Sequence, residues 1–292
     1  MEISYYPGCT LKTSAKNYEK TGLALLPIFD ISPVEIKDWV CCGATYSLTS
    51  DNLMYQLAPI RTLIRAKESG NPRLLTLCDM CYNTLKRAAL FIENDEEKRE
   101  KIKNFMDEEE TDYRGDEVEV VHLLTLLNEI GSQKISEKLV KSPLDLKIAT
   151  YYGCMLLRPK EIQADSAENP QLMENIFQGM GVEVVEYPFR TECCGSYQIV
   201  NRREIILDRT KKIISSAVKN NADLMVLSCP LCDYNLEATQ KELIEQDSNF
   251  KPLPVLYFSQ LLALILGIDP EINDWSLHNI DPTPVLKRKG LL

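Results

Sequence analysis

The sequence predicts an α/β protein of two related halves. Each half is a small, mainly parallel sheet flanked by helices, and a pseudo-twofold axis relates the two. Three observations predict it: the cysteines recur in the same order twice, short β-rich runs alternate with helical patterns, and each half closes on a strand that runs into an apolar helix.

The ten cysteines are Cys9, Cys41, Cys42, Cys78 and Cys81, then Cys154, Cys193, Cys194, Cys229 and Cys232. Each set reads C, then CCG, then C-x2-C. The intervening lengths are 31 and 35 residues in the first copy and 38 and 34 in the second. The surroundings repeat as well. "EISYYPGCTLK" matches "KIATYYGCMLLR", each an alternating run ending in Gly-Cys, and "RLLTLCDMCYNTL" matches "DLMVLSCPLCDYNL", each of strand length and entering C-x2-C at a helix start. "VEVVHLLTLLNEIG" and "LPVLYFSQLLALILG" both pass from a short strand into a helix that stops at glycine.

Four further segments carry apolar residues at helical spacing: "SAKNYEKTGLALLPIF", "NLMYQLAPIRTLIRAKESG", "NPQLMENIFQGMG" and "RREIILDRTKKIISSAVKNN". Short strands such as "VEVVEYPF" lie between them. This alternation implies βαβ units, in which function sits in loops beyond the carboxyl ends of strands. Cys9, Cys78, Cys154 and Cys229 fall there. The expected domains are 1–141, with an acidic insertion at 93–117, and 142–292, which begins near Leu144 and carries a C-terminal tail.

A chain of 292 residues with 45% apolar content suits two globular domains. The N-terminus lacks a secretory pattern, and "LLALILG" is far shorter than the roughly 20 residues that span a bilayer. A cytoplasmic protein without direct membrane insertion is expected. The net charge of −10 argues against nucleic-acid binding. Twelve acidic and five basic residues between Glu93 and Glu117 give a local −7, read as a solvated helix and loop, or as a docking surface for a basic partner. The tail from Trp275 reads as a frayed end or as an arm lying on a partner chain.

Ten cysteines in a reducing compartment point to metal binding or redox chemistry rather than disulfides. A structural zinc site uses four ligands, commonly from two C-x2-C hooks, and each half has one hook. The ferredoxin spacing C-x2-C-x2-C-x3-C-P is not present. An adjacent Cys-Cys pair closes a disulfide on itself poorly but can reach one multinuclear centre, with Gly43 and Gly195 allowing close backbone approach or a positive φ. Five soft thiolates per half favour a cluster. His122 and His278 lack ligand spacing, and His122 in "VVHLL" reads as a satisfied core residue.

The motifs "YYPGCTLK", "CCGATY", "LCDMCYNTL", "YYGCMLLRP", "CCGSY" and "CPLCDYNL" resemble the CCG-domain (cysteine-rich domain) family across nearly the whole chain. The resemblance is strongest to the branch made up of the disulfide-reducing B chains of heterodisulfide reductases. The later gap of 34 in the second copy is one residue short of that family's pattern. The resemblance implies two non-cubane [4Fe-4S] clusters facing each other across the axis. One is held by Cys9, Cys41, Cys42, Cys78 and Cys81, the other by Cys154, Cys193, Cys194, Cys229 and Cys232. It implies reduction of the coenzyme M–coenzyme B mixed disulfide between them. The partners it implies are two further chains of the same complex, one ferredoxin-like and one containing flavin. An alternative is a CCG-type electron-transfer component of an anaerobic dehydrogenase, or of a reductase for another disulfide; a zinc scaffold is the third reading. Because the heterodisulfide is polyanionic, Lys12, Lys16 and Arg158 are candidate substrate-binding cations, followed by Arg202 and Arg203.

Overall fold

The computed structural model describes residues 1–44, 52–93, 95–106, 112–143 and 145–292. Thr45 and Tyr46 of the first CCG motif, the four acidic residues at 107–110 and Leu144 at the expected domain border lie outside the described residues.

Strands β1 (Glu2–Tyr5), β2 (Ser32–Glu35), β3 (Arg73–Thr76) and β4 (Glu119–His122) form one sheet in the order β2-β1-β3-β4. Strands β5 (Lys147–Tyr151), β6 (Glu183–Val184), β7 (Leu224–Leu227) and β8 (Val255–Tyr257) form a second in the order β6-β5-β7-β8. Every pairing is parallel. Helices cover these sheets, so β7 reads as an unbroken apolar run buried at every position, Leu224 to Leu227. The strand expected from Val182 shortens to two residues at the sheet edge, with Pro188 closing the segment beyond it.

The expected helices form at Lys16–Leu25, Leu57–Glu68, Leu172–Gln178 and Arg203–Lys219. The closing helices Leu123–Ile130 and Phe258–Ile265 stop just before Gly131 and Gly267, both at positive φ. The halves interlock reciprocally. Helix Lys16–Leu25 packs on helix Phe258–Ile265 of the other half, while Leu123–Ile130 packs on Leu172–Gln178. In each case the helix after the first cysteine of one half meets the closing helix of the other, as a twofold axis requires. Tyr18 stacks on Tyr257 with centroids 4.2 Å apart, and the Thr21 and Ser259 hydroxyls are 2.7 Å apart in the buried seam. At the equivalent seam the Asn128 amide donates to Leu172 O at 2.9 Å.

Two peripheral segments differ from expectation. The acidic insertion contains the helix Glu96–Phe105, capped by the Asp95 carboxylate, and it is only partly solvated: Ile102, Met106 and Tyr113 are buried. The tail is not frayed. Its helix Thr283–Arg288 buries Leu286, Leu291 is also buried, and Lys289 pairs with Asp223 at 2.7 Å. Two well-spaced leucines and a cation were enough to dock it on its own domain, a signal too short to register as a helical period.

His278 anchors the start of that tail. Gln260 Nε2 lies 3.0 Å from His278 Nε2, so the amide donates to a neutral imidazole. Burial holds His278 down at about 4. The unfolded chain therefore binds a proton first as pH falls through 6.5. This contribution is intact above pH 6.5 and lost towards pH 4, a loss of about 3 kcal/mol. Urea unfolding between pH 7 and 5 is expected to show stability falling with pH, with a shallower fall in His278→Gln.

Candidate metal centre

In each sheet the chain leaves the first strand in one direction for β2 or β6 and returns on the other side as β3 or β7. The carboxyl ends of β1 and β3, and of β5 and β7, therefore flank a topological switch point, where a parallel sheet leaves an open crevice. Cys9 and Cys154 follow the first strand of each pair. Cys78 and Cys229 follow the second and open the C-x2-C turns, while the Cys-Cys pairs arrive on the loops after β2 and β6. Three loops thus deliver five sulfurs to each crevice.

All ten cysteines are free thiols. In the first half they connect as Cys9–Cys41–Cys42–Cys81–Cys78, with Cys41 Sγ 3.8 Å from Cys9 Sγ. In the second they connect in the same order, Cys154–Cys193–Cys194–Cys232–Cys229. Hydrogen bonds from Cys41 and Cys81 pull Cys42 well below the ordinary thiol range, and those from Cys154 and Cys194 bring Cys193 down to about 2. The neighbouring Cys194 is pushed up to about 12 by Cys193. Cys229 rises despite its hydrogen bond with Cys232, through burial and the nearby Asp79 and Cys78 of the other half.

The backbone makes room for the sulfurs. Gly43 and Gly195 have φ of +68° and +100°, as the motif led us to expect. Two other glycines were not singled out by sequence. Gly8 and Gly153 have φ of +68° and +64°, and a Cβ there would lie 2.8 Å from Cys81 Sγ and 3.1 Å from Cys232 Sγ. The Gly-Cys step is what lets the first cysteine's loop pass over the last thiol of its own set.

Sequence reasoning also missed a pair of tyrosines. Tyr6 and Tyr151 stand three residues before Cys9 and Cys154. Tyr6 Oη donates to Val40 O at 2.8 Å, and Tyr151 Oη donates to Glu192 O at 2.6 Å. Each acceptor is the residue immediately before a Cys-Cys pair, so each tyrosine ties the pair's loop to the sheet. The doubled "YY" before Gly-Cys was the available signal, masked by its fit to an ordinary β-strand.

A cavity of about 440 Å³ opens beside the first quintet. The five sulfurs of the first half form one side, and Tyr197, Ile199, Pro230, Leu231 and Tyr234 of the second half form the other. Among the described residues no charged side chain lines it. Lys12, Lys16 and Arg158 lie outside this lining. Lys12 is held by Glu19 at 2.7 Å and Glu35 at 2.8 Å, Lys16 is exposed, and Arg158 donates to Thr191 O. Arg202 and Arg203 pair with Glu204 and Glu242. His122 is fully buried; its Nε2 donates to Leu77 O and its Nδ1 accepts from Leu124 N, the satisfied core residue expected.

Fold and site together define a duplicated cysteine-rich α/β protein with a five-thiol centre in each half. The chain belongs to the cysteine-rich CCG domain family, whose model matches residues 3–86 and 148–237. It is 33% identical over 97% of its length to the 8-methylmenaquinol:fumarate reductase membrane anchor subunit of Wolinella succinogenes, of which it covers 98%. It is 27% identical over 96% of its length to the B chain of the ferredoxin/F(420)H(2)-dependent CoB-CoM heterodisulfide reductase of Methanosarcina acetivorans, of which it covers 95%. Among solved structures, a hypothetical protein from Helicobacter pylori shares the fold with a TM-score of 0.76 at 14% identity, over 95% of this chain and 51% of that one. No helix of the described residues is long and apolar enough to cross a membrane.

Removing the Tyr151 hydroxyl leaves Glu192 O without that donor, and removing the Tyr6 hydroxyl leaves Val40 O with only the longer bond from the Thr62 hydroxyl at 3.4 Å. Tyr6→Phe and Tyr151→Phe are each expected to cost about 1–3 kcal/mol in chemical denaturation of the metal-free protein. Each variant should also speed alkylation of the Cys-Cys pair in its own half alone, read by mass spectrometry.

Proposed function

We propose that this chain is the iron–sulfur component of a multi-subunit oxidoreductase. In this reading Cys9, Cys41, Cys42, Cys78 and Cys81 hold one non-cubane [4Fe-4S] cluster and Cys154, Cys193, Cys194, Cys229 and Cys232 hold a second. One observation carries it: each half gathers five thiols into one crevice, joined in the same internal order in both halves. The residues fit a multinuclear group. Five soft donors around an open crevice suit a metal–sulfide cluster better than one zinc ion, which takes four. The free thiols suit a reducing compartment, the cytoplasm expected from composition.

The reaction we assign is reduction of a disulfide to two thiols in the cavity beside the first quintet, with the coenzyme M–coenzyme B heterodisulfide as the substrate suggested by the heterodisulfide reductase relatives. A disulfide takes up two electrons and two protons, and clusters held by the two cysteine sets would supply one-electron chemistry to it. The protein's share is positional. Tyr6 and Tyr151 fix the Cys-Cys loops, while Ile199, Pro230 and Leu231 keep water from the reacting face. A ferredoxin-like partner chain and a flavin-containing one would bring the electrons.

A second reading has specific support. The described part of the cavity lining is uncharged and a poor match for a polyanion, and the 33% relative is named for a menaquinol:fumarate reductase. This favours an electron-transfer component serving a neutral, quinone-type partner.

Anaerobically purified protein is expected to hold about eight iron atoms per chain, the content of two four-iron clusters. Cys42→Ser and Cys194→Ser should each remove about half of that iron together with one electron-paramagnetic-resonance signal. Little iron in the wild type would end this reading. Turnover of the assembled complex with the heterodisulfide against a soluble quinol separates the two reactions.

A further inference from the structure

The two copies of the C-x2-C helix are not equivalent. After the second hook cysteine the first copy continues Tyr82-Asn83, whereas the second continues Asp233-Tyr234-Asn235, one residue longer. The structure absorbs that residue in a π-helical turn at Tyr234–Ala238, inside the run from Pro230 to Gln246. The Thr210 hydroxyl from a neighbouring helix donates to Asn235 O at 3.0 Å, and the Thr239 hydroxyl reaches the same carbonyl, so the widened turn is held.

The extra residue turns the Tyr-Asn pair to a new direction. In the first copy Tyr82 and Asn83 clamp the seam. Tyr82 Oη donates to Ile162 O at 3.0 Å, and Asn83 Nδ2 donates to Met155 O at 2.7 Å and Arg158 O at 2.5 Å. In the second copy Tyr234 swings out to the wall of the cavity beside the first quintet, 53% exposed. Asn235, fully buried, turns inward and places Nδ2 3.3 Å from Cys194 Sγ and 3.0 Å from Ser196 O. A carbonyl oxygen can only accept, so Ser196 O fixes the amide orientation with Nδ2 towards the sulfur.

From this geometry we infer that Asn235 is a positioning residue that makes the two centres electronically unequal, by giving an N–H···S hydrogen bond to Cys194 for which Asn83 has no counterpart. The inference rests on the proposed function, since it concerns Cys194 as a cluster ligand. Hydrogen bonds to cluster sulfurs stabilise the more negative, reduced state and raise the potential. The second centre thereby holds electrons more firmly than it would without Asn235.

The test is a redox titration of the iron-loaded full chain, following both centres by electron paramagnetic resonance. In Asn235→Leu one centre should shift about tenfold towards the oxidised form, about 59 mV for one electron, while the other stays in place. Asn83→Leu, which loosens the seam without touching a sulfur, should leave the separation between the two potentials unchanged. If Asn235→Leu fails to load iron, Asn235→Ser removes the reach with less change of packing and is read in the same way. A folded, iron-loaded variant with both potentials unmoved, or both moved equally, overturns the inference alone. A wild type without iron overturns the proposed function and this inference with it.

Discussion

Bringing five sulfur atoms into one crevice from three separate loops is the constraint around which each half is built. A parallel sheet meets it only where neighbouring strands send their connections to opposite sides, and the orders β2-β1-β3-β4 and β6-β5-β7-β8 place that point between the first and third strands. Two loops then leave adjacent strand ends, and the third, bearing the Cys-Cys pair, is drawn in by the hydroxyl of Tyr6 or Tyr151. The glycines before Cys9 and Cys154 complete the arrangement by leaving out the one carbon that would strike the last sulfur. Substitution at any of these places acts on the sulfurs through the backbone, not through the ligands themselves.

Duplication solves a second problem. Each half has an apolar helix after its first cysteine and another at its end, and neither can cover both alone. Reciprocal packing across the axis buries them together, and it brings Cys229 within electrostatic reach of Asp79 and Cys78 of the other half. The interface that stabilises the fold therefore also fixes one cysteine set relative to the other. Mutations in the Tyr18–Tyr257 stack or the Thr21–Ser259 contact belong to the site as much as to the core.

Much of this was legible from sequence because spacing survives where side-chain detail does not. The repeated cysteine order pointed to two centres and to the sulfurs gathered at each, and alternation of β-rich and helical runs gave two parallel sheets. The features that escaped were those whose residue types are ordinary in isolation. Tyr6 and Tyr151 look like strand residues, Gly8 and Gly153 look like turn residues, and Leu286 and Leu291 are too few to make a period. The missing residue in the gap before Cys229 and the extra one after Cys232 were each visible in the sequence. Only the π-helical turn shows that the extra residue redirects Asn235 towards a sulfur.

The electrostatics narrow the chemistry further. A protein of net charge −10 that keeps charged side chains away from the described lining of its sulfur-lined cavity, and ties Lys12 to two glutamates, has not arranged cations around the place where electrons would be exchanged. Attraction of an anion by such a surface would have to come from a partner chain. What the cavity itself offers is dispersion contact and exclusion of water, from Tyr197, Ile199, Leu231 and Tyr234. Those forces select for the uncharged part of whatever enters: the sulfur–sulfur segment of a disulfide whose anionic ends remain outside, or the ring of a quinone. The first quintet, with Cys9 and Cys41 exposed, stands at that opening, while the second is more enclosed.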